Sequence, residues 1–420
     1  MNTTHTNSSL PSGFRSVPQT GVIYVMTEAS KLGFEMGHPD WTNLGQGAPE
    51  TGALEGAPER VTTIHLTDAD HEYANIDGLN KLRDAVAKLY NERYRQGKKS
   101  LYTRENVAIN PGGRAALTRL VSTLGRIHVG HFLPDYTAYE ELLDTFGTFT
   151  PIPILLDPEK NYSITTDELK EKILGLGLSA LLLSNPCNPT GKLISGTELD
   201  KWVQLHRDLG CTMIVDEFYS HYIFKENTPY VSAATAVEDV NKDPVVIIDG
   251  LTKNWRYPGW RVSWTLAPAA VIEGIASAGS FMDGGCAHPM QKAALPLLEK
   301  SFADQEAIAI QKNFSIKKTF LIDNLMRLGI SVPVMPEGSF YCWGDLGQLP
   351  EHLNTGMKFL TACLKEGVIT VPGSFFDINP GGKRADRPSR FEKYSRFSFG
   401  PSLEELKRGV NKLEKIINKG

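Results

Sequence analysis

The strongest constraint on the fold is a rhythm of short apolar runs, each ending in a polar or glycine-rich turn. NVAIN (106–110) leads through PGG into the helical pattern RAALTRLVSTLG, and HVGHF (128–132) leads through PDYTA into YEELLDTFG. LSALLLS (178–184) leads through NPCNPTG into ELDKWVQLHRDLG, and CTMIV (211–215) and VVIID (245–249) follow. Near-continuous apolar runs of this length fit strands buried on both faces, and their alternation with helices predicts a mostly parallel α/β sheet covered by helices. In such sheets ligands sit outside the carboxyl ends of the strands. The turns after these runs are therefore where chemistry is expected.

After about residue 290 the pattern changes. Residues 291–329 read as one long helix from their 3.6-residue periodicity, and strand-like and helical segments then alternate to the end. FFDINPGGKRADRPSRFEK (375–393), rich in Gly, Pro and charge, is expected to be an exposed loop. A chain of 420 residues favours two domains. The expected division is an N-terminal arm with part of a small domain over 1–45, a large domain over 46–288, and a small α+β domain over 289–420.

Composition removes several classes of function. A net charge of −4 and the lack of a long basic run argue against a nucleic-acid partner. No apolar run approaches the roughly 20 residues of a membrane span. MNTTHTNSSLPSGF has neither a basic head nor an apolar stretch, so it reads as no secretory signal and is expected to fray. The five cysteines are scattered and odd in number, giving neither a disulfide framework nor a metal spacing, which fits a reducing cytoplasm.

The turns carry a set of groups that belong together. NPGGRAAL (110–117) puts two glycines between a strand and a helix start, where backbone N–H groups can bind phosphate. SNPCNPTG (184–191) holds two Asn-Pro pairs, and VDEFY (215–219) puts two acids and a tyrosine past an apolar strand. DGLTKNWRYPGWRVSW (249–264) contains Lys253 and Arg261 around a constrained turn. Each motif alone has a bland reading as a tight turn, a solvated acid pair or a surface lysine. Together they offer a phosphate cradle, an amide, a carboxylate, a phenol, a lysine and an arginine. Pyridoxal 5′-phosphate (PLP) needs all of these, because its aldehyde joins a lysine and its ring nitrogen, ring oxygen and phosphate each need a partner. No metal site is expected, and no strand is followed by GxGxxG with a downstream acid, as nicotinamide binding would require.

From LGQGAPE (44–50) to RFSFG (396–400) these motifs resemble the fold-type I, class I/II aminotransferases, nearest the aspartate, aromatic and kynurenine branch. The resemblance implies a seven-stranded, mostly parallel sheet with a smaller α+β domain, and a homodimer with shared active sites. It implies Lys253 as Schiff-base lysine and proton shuttle, Asp216 on the ring nitrogen, and Tyr219 and Asn188 on the ring oxygen. Gly113, Arg114 and Arg261 would bind the phosphate, and Tyr136 would stack on the ring. Tyr73 in HEYANIDGLNKLR would reach the phosphate of the neighbouring subunit. Gly47 would lie beside the substrate carboxylate, which Arg396 would bind as a fork, with Asn188 close by.

The implied reaction moves an amino group from an L-amino acid to a 2-oxo acid by ping-pong kinetics. The same lysine–aspartate pair serves β-lyases, cyclising synthases and arginine oxidases, so those outcomes stay open. Two places depart from the family. Gly250 stands where a hydroxyl residue is common, with Thr252 as a candidate to compensate, and Asp283 and His288 match no family role. Neutral or aromatic donors are expected, because no second arginine stands in a recognisable motif, while GVIYVM (21–26), Tyr136 and Trp41 could line an apolar pocket. Asp283 leaves a minority case for a cationic donor.

Overall fold

The computed structural model describes residues 11–14, 17, 19, 21–225 and 228–419. The first ten residues of the stretch expected to fray lie outside the described residues. Strand β1 (Thr42–Asn43) precedes a large-sheet set of β2 (Val107–Asn110), β3 (His128–Leu133), β4 (Thr150–Leu155), β5 (Leu178–Ser184), β6 (Thr212–Asp216), β7 (Val245–Gly250) and β8 (Ser263–Leu266). The remaining strands are β9 (Tyr341–Asp345), β10 (Val368–Ile369), β11 (Val371–Pro372) and β12 (Tyr394–Ser398).

The large sheet has the order β2-β8-β7-β6-β5-β3-β4. β8 runs against both of its neighbours, and the other pairs are parallel. Ala180, Leu181, Leu182 and Leu183 of β5 and every residue of β7 are buried, as the unbroken apolar runs require when helices cover both faces. The helices that follow are amphipathic. Thr197–Leu209, for example, turns Leu199, Trp202, Val203 and Leu205 inward and ends on Gly210 in the left-handed region at φ 62°.

Two strands of this sheet carried no clear strand signal. β4 reads TPIPIL, and its Pro151 and Pro153 are tolerated because β4 pairs only with β3 and so has a free edge. β8 has only four residues, within WRVSW. The expected single helix after residue 290 is broken. A helix over His288–Ala294 passes through a 3₁₀ turn, Leu295–Leu298, into the helix Lys300–Arg327. Pro296 lacks an N–H and Glu299 is extended at ψ 133°, which together interrupt the helical ladder.

A second, antiparallel sheet has the order β11-β12-β9, with Arg396 of β12 opposite Trp343 of β9. β1 pairs with β10, so residues 42–43 join the C-terminal part of the chain. The helix Gly21–Lys31 adds Val25 and Ala29 to a small core with Phe34, Trp41, Leu360, Leu364 and Ile369. The loop expected to be exposed over 375–393 is exposed mainly after residue 380. Its start folds inward, where buried Asp377 accepts from Arg384 at 2.7 Å and from Ser389 at 3.0 Å. None of the described helices is long and apolar enough to cross a membrane.

Candidate active site

The sheet register gathers the motif residues at one edge. Asp216 ends β6, opposite Ser184 at the end of β5 and Ile248 near the end of β7. Asn188 follows β5, Lys253 follows β7, and Gly113 opens the helix after β2. The spacing between Lys253 and Arg261 is explained by topology. The chain turns back after β7, with Leu251 N–H donating to Val262 at 3.0 Å, and enters β8 in the opposite direction. Because β8 is antiparallel, its first residues lie at the carboxyl edge of its neighbours. Arg261 therefore returns to the edge that Lys253 has just left.

The glycines between β2 and its helix fit this return. A Cβ on Gly112, which has φ 93°, would sit 1.8 Å from Arg261 Nη2. A Cβ on Gly113 would sit 2.3 Å from the Phe218 ring. Lys253, Asp216, Tyr219, Asn188, Arg114 and Arg261 are among the residues lining one cavity of about 350 Å³, and Tyr136 and Gly113 also face it.

The cavity tunes its titratable groups. Burial lowers Lys253 to about 7, helped by repulsion from the guanidinium groups of Arg114, Arg261 and Arg396 and opposed by Asp216. Its Nζ donates to the Gly47 carbonyl at 2.5 Å. Burial raises Asp216 to about 6, although it accepts from Phe218 N–H at 3.3 Å and from the Tyr139 hydroxyl at 3.1 Å. Burial also raises Tyr219 well above the usual phenol value, followed by the effect of Tyr341, whose hydroxyl lies 3.2 Å away. At neutral pH the set is thus a largely ionised acid, a protonated phenol and a lysine that can lose its proton.

Arg396 reaches the same place from β12. Its Nη1 donates to Asn188 Oδ1 and its Nη2 to the Gly45 carbonyl, both at 2.9 Å. Its guanidinium lies 4.0 Å from the centre of the Tyr341 ring, and its buried Nε has no partner. Arg114 donates to the Tyr136 hydroxyl at 3.3 Å. Tyr73 is not brought to this cavity and is 95% exposed.

Two residues near this edge were not singled out from sequence. Tyr139, one helical turn after Tyr136 in PDYTAY, braces Asp216, and that spacing was a usable signal. Tyr341 pairs with Tyr219 and lies under Arg396, a contact between distant segments that no local pattern announces.

The departures have physical explanations. A Cβ on Gly250 would sit 2.5 Å from the Cα of Ser263, so this strand pair has no room for a hydroxyl residue there. Thr252 lines the cavity, and its buried Oγ1 has no partner. Asp283 pairs with the buried Arg119 through two hydrogen bonds, one of 2.8 Å, which removes the basis for a cationic donor. His288 holds the Glu72 carbonyl at 3.1 Å, and Lys292 is paired with Asp70. Trp41 packs edge-on against Phe34 in the small core rather than lining the cavity.

Comparison with known proteins places this arrangement in a family. The model for "Aminotransferase class I and II" matches residues 39–413. An aspartate aminotransferase of Sulfurisphaera tokodaii is 24% identical over 388 residues, covering 90% of each chain. A valine–pyruvate aminotransferase of Mycobacterium tuberculosis is 26% identical over 383 residues, covering 89% of this chain and 91% of the relative. The aspartate aminotransferase of Thermus thermophilus, solved with maleate, shares the fold at a TM-score of 0.79 and 20% identity, over 96% of this chain and all of the other. With a family match that runs from β1 to the last helix, the chain belongs to the class I and II aminotransferases and is an amino-acid aminotransferase.

Proposed function

We propose that this chain transfers amino groups through pyridoxal 5′-phosphate held in the cavity at the sheet edge, in a ping-pong cycle. The observation that carries the reading is the meeting of Lys253, Asp216, Tyr219, Asn188 and Arg261 around one cavity of about 350 Å³. The residues fit the cofactor. The Gly112–Gly113 turn leaves backbone N–H groups where a side chain would collide, and Thr252 Oγ1 is a buried polar atom without a partner. Gly113, Arg114, Arg261 and Thr252 would hold the phosphate, and Tyr136 would cover one ring face. When bound, the cofactor supplies an aldehyde that condenses with amines and a ring that takes up electrons as an α-proton leaves.

The chain's own groups then have distinct duties. Lys253, lowered to about 7, is neutral often enough to take a proton from a substrate Cα and return it. Asp216 would accept a hydrogen bond from a protonated ring nitrogen, and Tyr139 keeps that carboxylate in place. Tyr219 would donate to the ring oxygen. Asn188 Oδ1 accepts from Arg396, and its amide N–H groups would donate to the same ring oxygen. Arg396 grips the substrate α-carboxylate beside Gly47.

Neutral or aromatic donors are favoured in this proposal. Leu117, Tyr136, Phe218 and Pro258 give the cavity an apolar and aromatic wall, and Lys292, a candidate second cation for an acidic side chain, is occupied by Asp70. The relatives' names differ in their donors at similar identity, so family membership alone does not choose one. A homodimer belongs to the same proposal, with the exposed Tyr73 reaching the partner's phosphate site. So does the division at residues 45 and 288, of which the pairing of β1 with β10 supports the first boundary. Borohydride reduction of the holoenzyme followed by peptide mass spectrometry tests the core of the proposal. The pyridoxyl group should appear on Lys253, and a label on any other lysine would overturn it.

A further inference from the structure

Arg256 occupies a conformation that arginine seldom takes. Its φ is +58°, in the left-handed region that favours glycine, yet its side chain is completely buried. A bulky residue kept in such a position points to a duty for its side chain. Three groups receive that side chain. Nε donates to Glu306 Oε1 at 2.7 Å, and Nη1 donates to the carbonyls of Gly52 at 2.8 Å and Glu50 at 3.2 Å.

Those two carbonyls belong to the segment that borders the active site. At its near end, the Gly45 carbonyl accepts from Arg396 and the Gly47 carbonyl accepts from Lys253. At its far end, the Glu50 and Gly52 carbonyls accept from Arg256, and Lys317 pairs with the Glu50 carboxylate. Arg256 also sits in the turn that presents Lys253, since its N–H donates to the Lys253 carbonyl at 3.0 Å. The turn is braced from behind by Arg60, which donates to the carbonyls of Trp255 at 2.9 Å and Arg256 at 2.7 Å. Arg256 thus fastens the far end of the segment 45–52 to the turn 253–256, as Lys253 does the near end.

We propose that Arg256 is a positioning residue for substrate binding: it fixes the segment 45–52 on the lysine turn, so that the Gly45 carbonyl keeps Arg396 aimed at the α-carboxylate. Glycine at 256 would suit the backbone better but could not span to Glu50 and Gly52. Lysine, with a single point of charge, could not serve a carboxylate and two carbonyls in one plane. The effect should fall on KM, because the grip on a carboxylate is shared by ground and transition states.

The proposal rests on the functional reading above only where substrate is used, and the test separates the two. Three holoenzymes are compared: wild type, Glu306→Gln, and Arg256→Gly combined with Glu306→Gln. The first substitution removes the ion pairs of Glu306 with Arg256 and Arg60, and it keeps the bonds of both arginines to backbone carbonyls. The double variant removes those bonds while leaving no uncompensated buried carboxylate and no left-handed strain. Amide hydrogen exchange over residues 44–52 should match wild type in Glu306→Gln and quicken at least tenfold in the double variant. KM for neutral amino acids should stay within twofold in Glu306→Gln and rise at least tenfold in the double variant, with kcat changed less than threefold. The proposal is overturned if exchange and KM in the double variant stay within twofold of Glu306→Gln, or if Glu306→Gln alone produces the full rise. If wild type turns over no amino acid, the functional reading fails and the exchange data still decide the role of Arg256.

Discussion

Replacing Lys253 by methionine measures the electrostatic setting of the cavity without any substrate. Methionine keeps most of the stem's length and removes the amine. In the folded, cofactor-free protein Lys253 titrates at about 7, lowered by burial and then by Arg114, Arg261 and Arg396. In the unfolded chain it titrates near ~10.4. Between those values the unfolded chain holds one more proton than the folded protein, so wild-type stability rises with pH at ~1.4 kcal/mol per pH unit. Below the window both states are charged and the slope vanishes. Starting from half-titration at pH 7, wild type should gain about 2 kcal/mol by pH 9 that the variant cannot gain. Urea unfolding of both cofactor-free proteins at pH 7, 8 and 9 gives the difference directly, because the other titrating groups are common to both. A difference that stays constant within about 0.5 kcal/mol would show that the folded protein holds Lys253 at an ordinary lysine value, and the reasoning would fail.

Four other outcomes are expected. Tyr139→Phe removes the phenol donor to Asp216, and a bond to a charged acceptor is worth ~1.5–3 kcal/mol, so cofactor affinity should fall about tenfold or more. Absorbance titration of the cofactor-free variant measures this, and wild-type affinity would dismiss the brace. Asp283→Ala leaves the buried Arg119 unpaired and should cost about 3 kcal/mol in denaturant unfolding, while the ratio of rates with arginine and neutral donors stays unchanged; a change in that ratio would return Asp283 to the substrate pocket. Single-turnover rates across the twenty amino acids, followed by loss of cofactor absorbance, should favour neutral or aromatic donors; aspartate faster by tenfold, ~1.4 kcal/mol, would defeat that preference. Tyr73→Phe and Lys253→Ala, each nearly inactive alone, should recover activity when refolded together, and a monomer by light scattering at micromolar concentration would count against shared sites.

The sequence by itself determined the class of the large sheet, five of its seven strands and most of the residues around the cavity. Strands buried on both faces must be continuously apolar, so β5, β6 and β7 announce themselves, and the polar groups that follow them can only collect at the carboxyl edge. Lys253, Asp216, Tyr219 and Asn188 were legible in part for that reason, and Arg261, which stands before the unannounced β8, through the turn motif and the family resemblance. β4 was hidden by its two prolines, which are harmless only because the strand has a free edge, and being an edge is a property of the assembled sheet. The break at Pro296 shows the limit of periodicity, which survives a short 3₁₀ turn when the apolar face resumes beyond it. What tertiary structure alone decided were contacts across long separations. These include the bond between Tyr219 and Tyr341, the pairing of Asp283 with Arg119, and the closeness of Gly250 to Ser263 that excludes a hydroxyl residue. Arg256 belongs with them. In sequence it is one more charge in a turn, and only its left-handed backbone and the carbonyls of Glu50 and Gly52, some two hundred residues away, give its burial a purpose. Local patterns record which face of an element is buried, but not which distant polar group must meet another there, because that choice is made by packing.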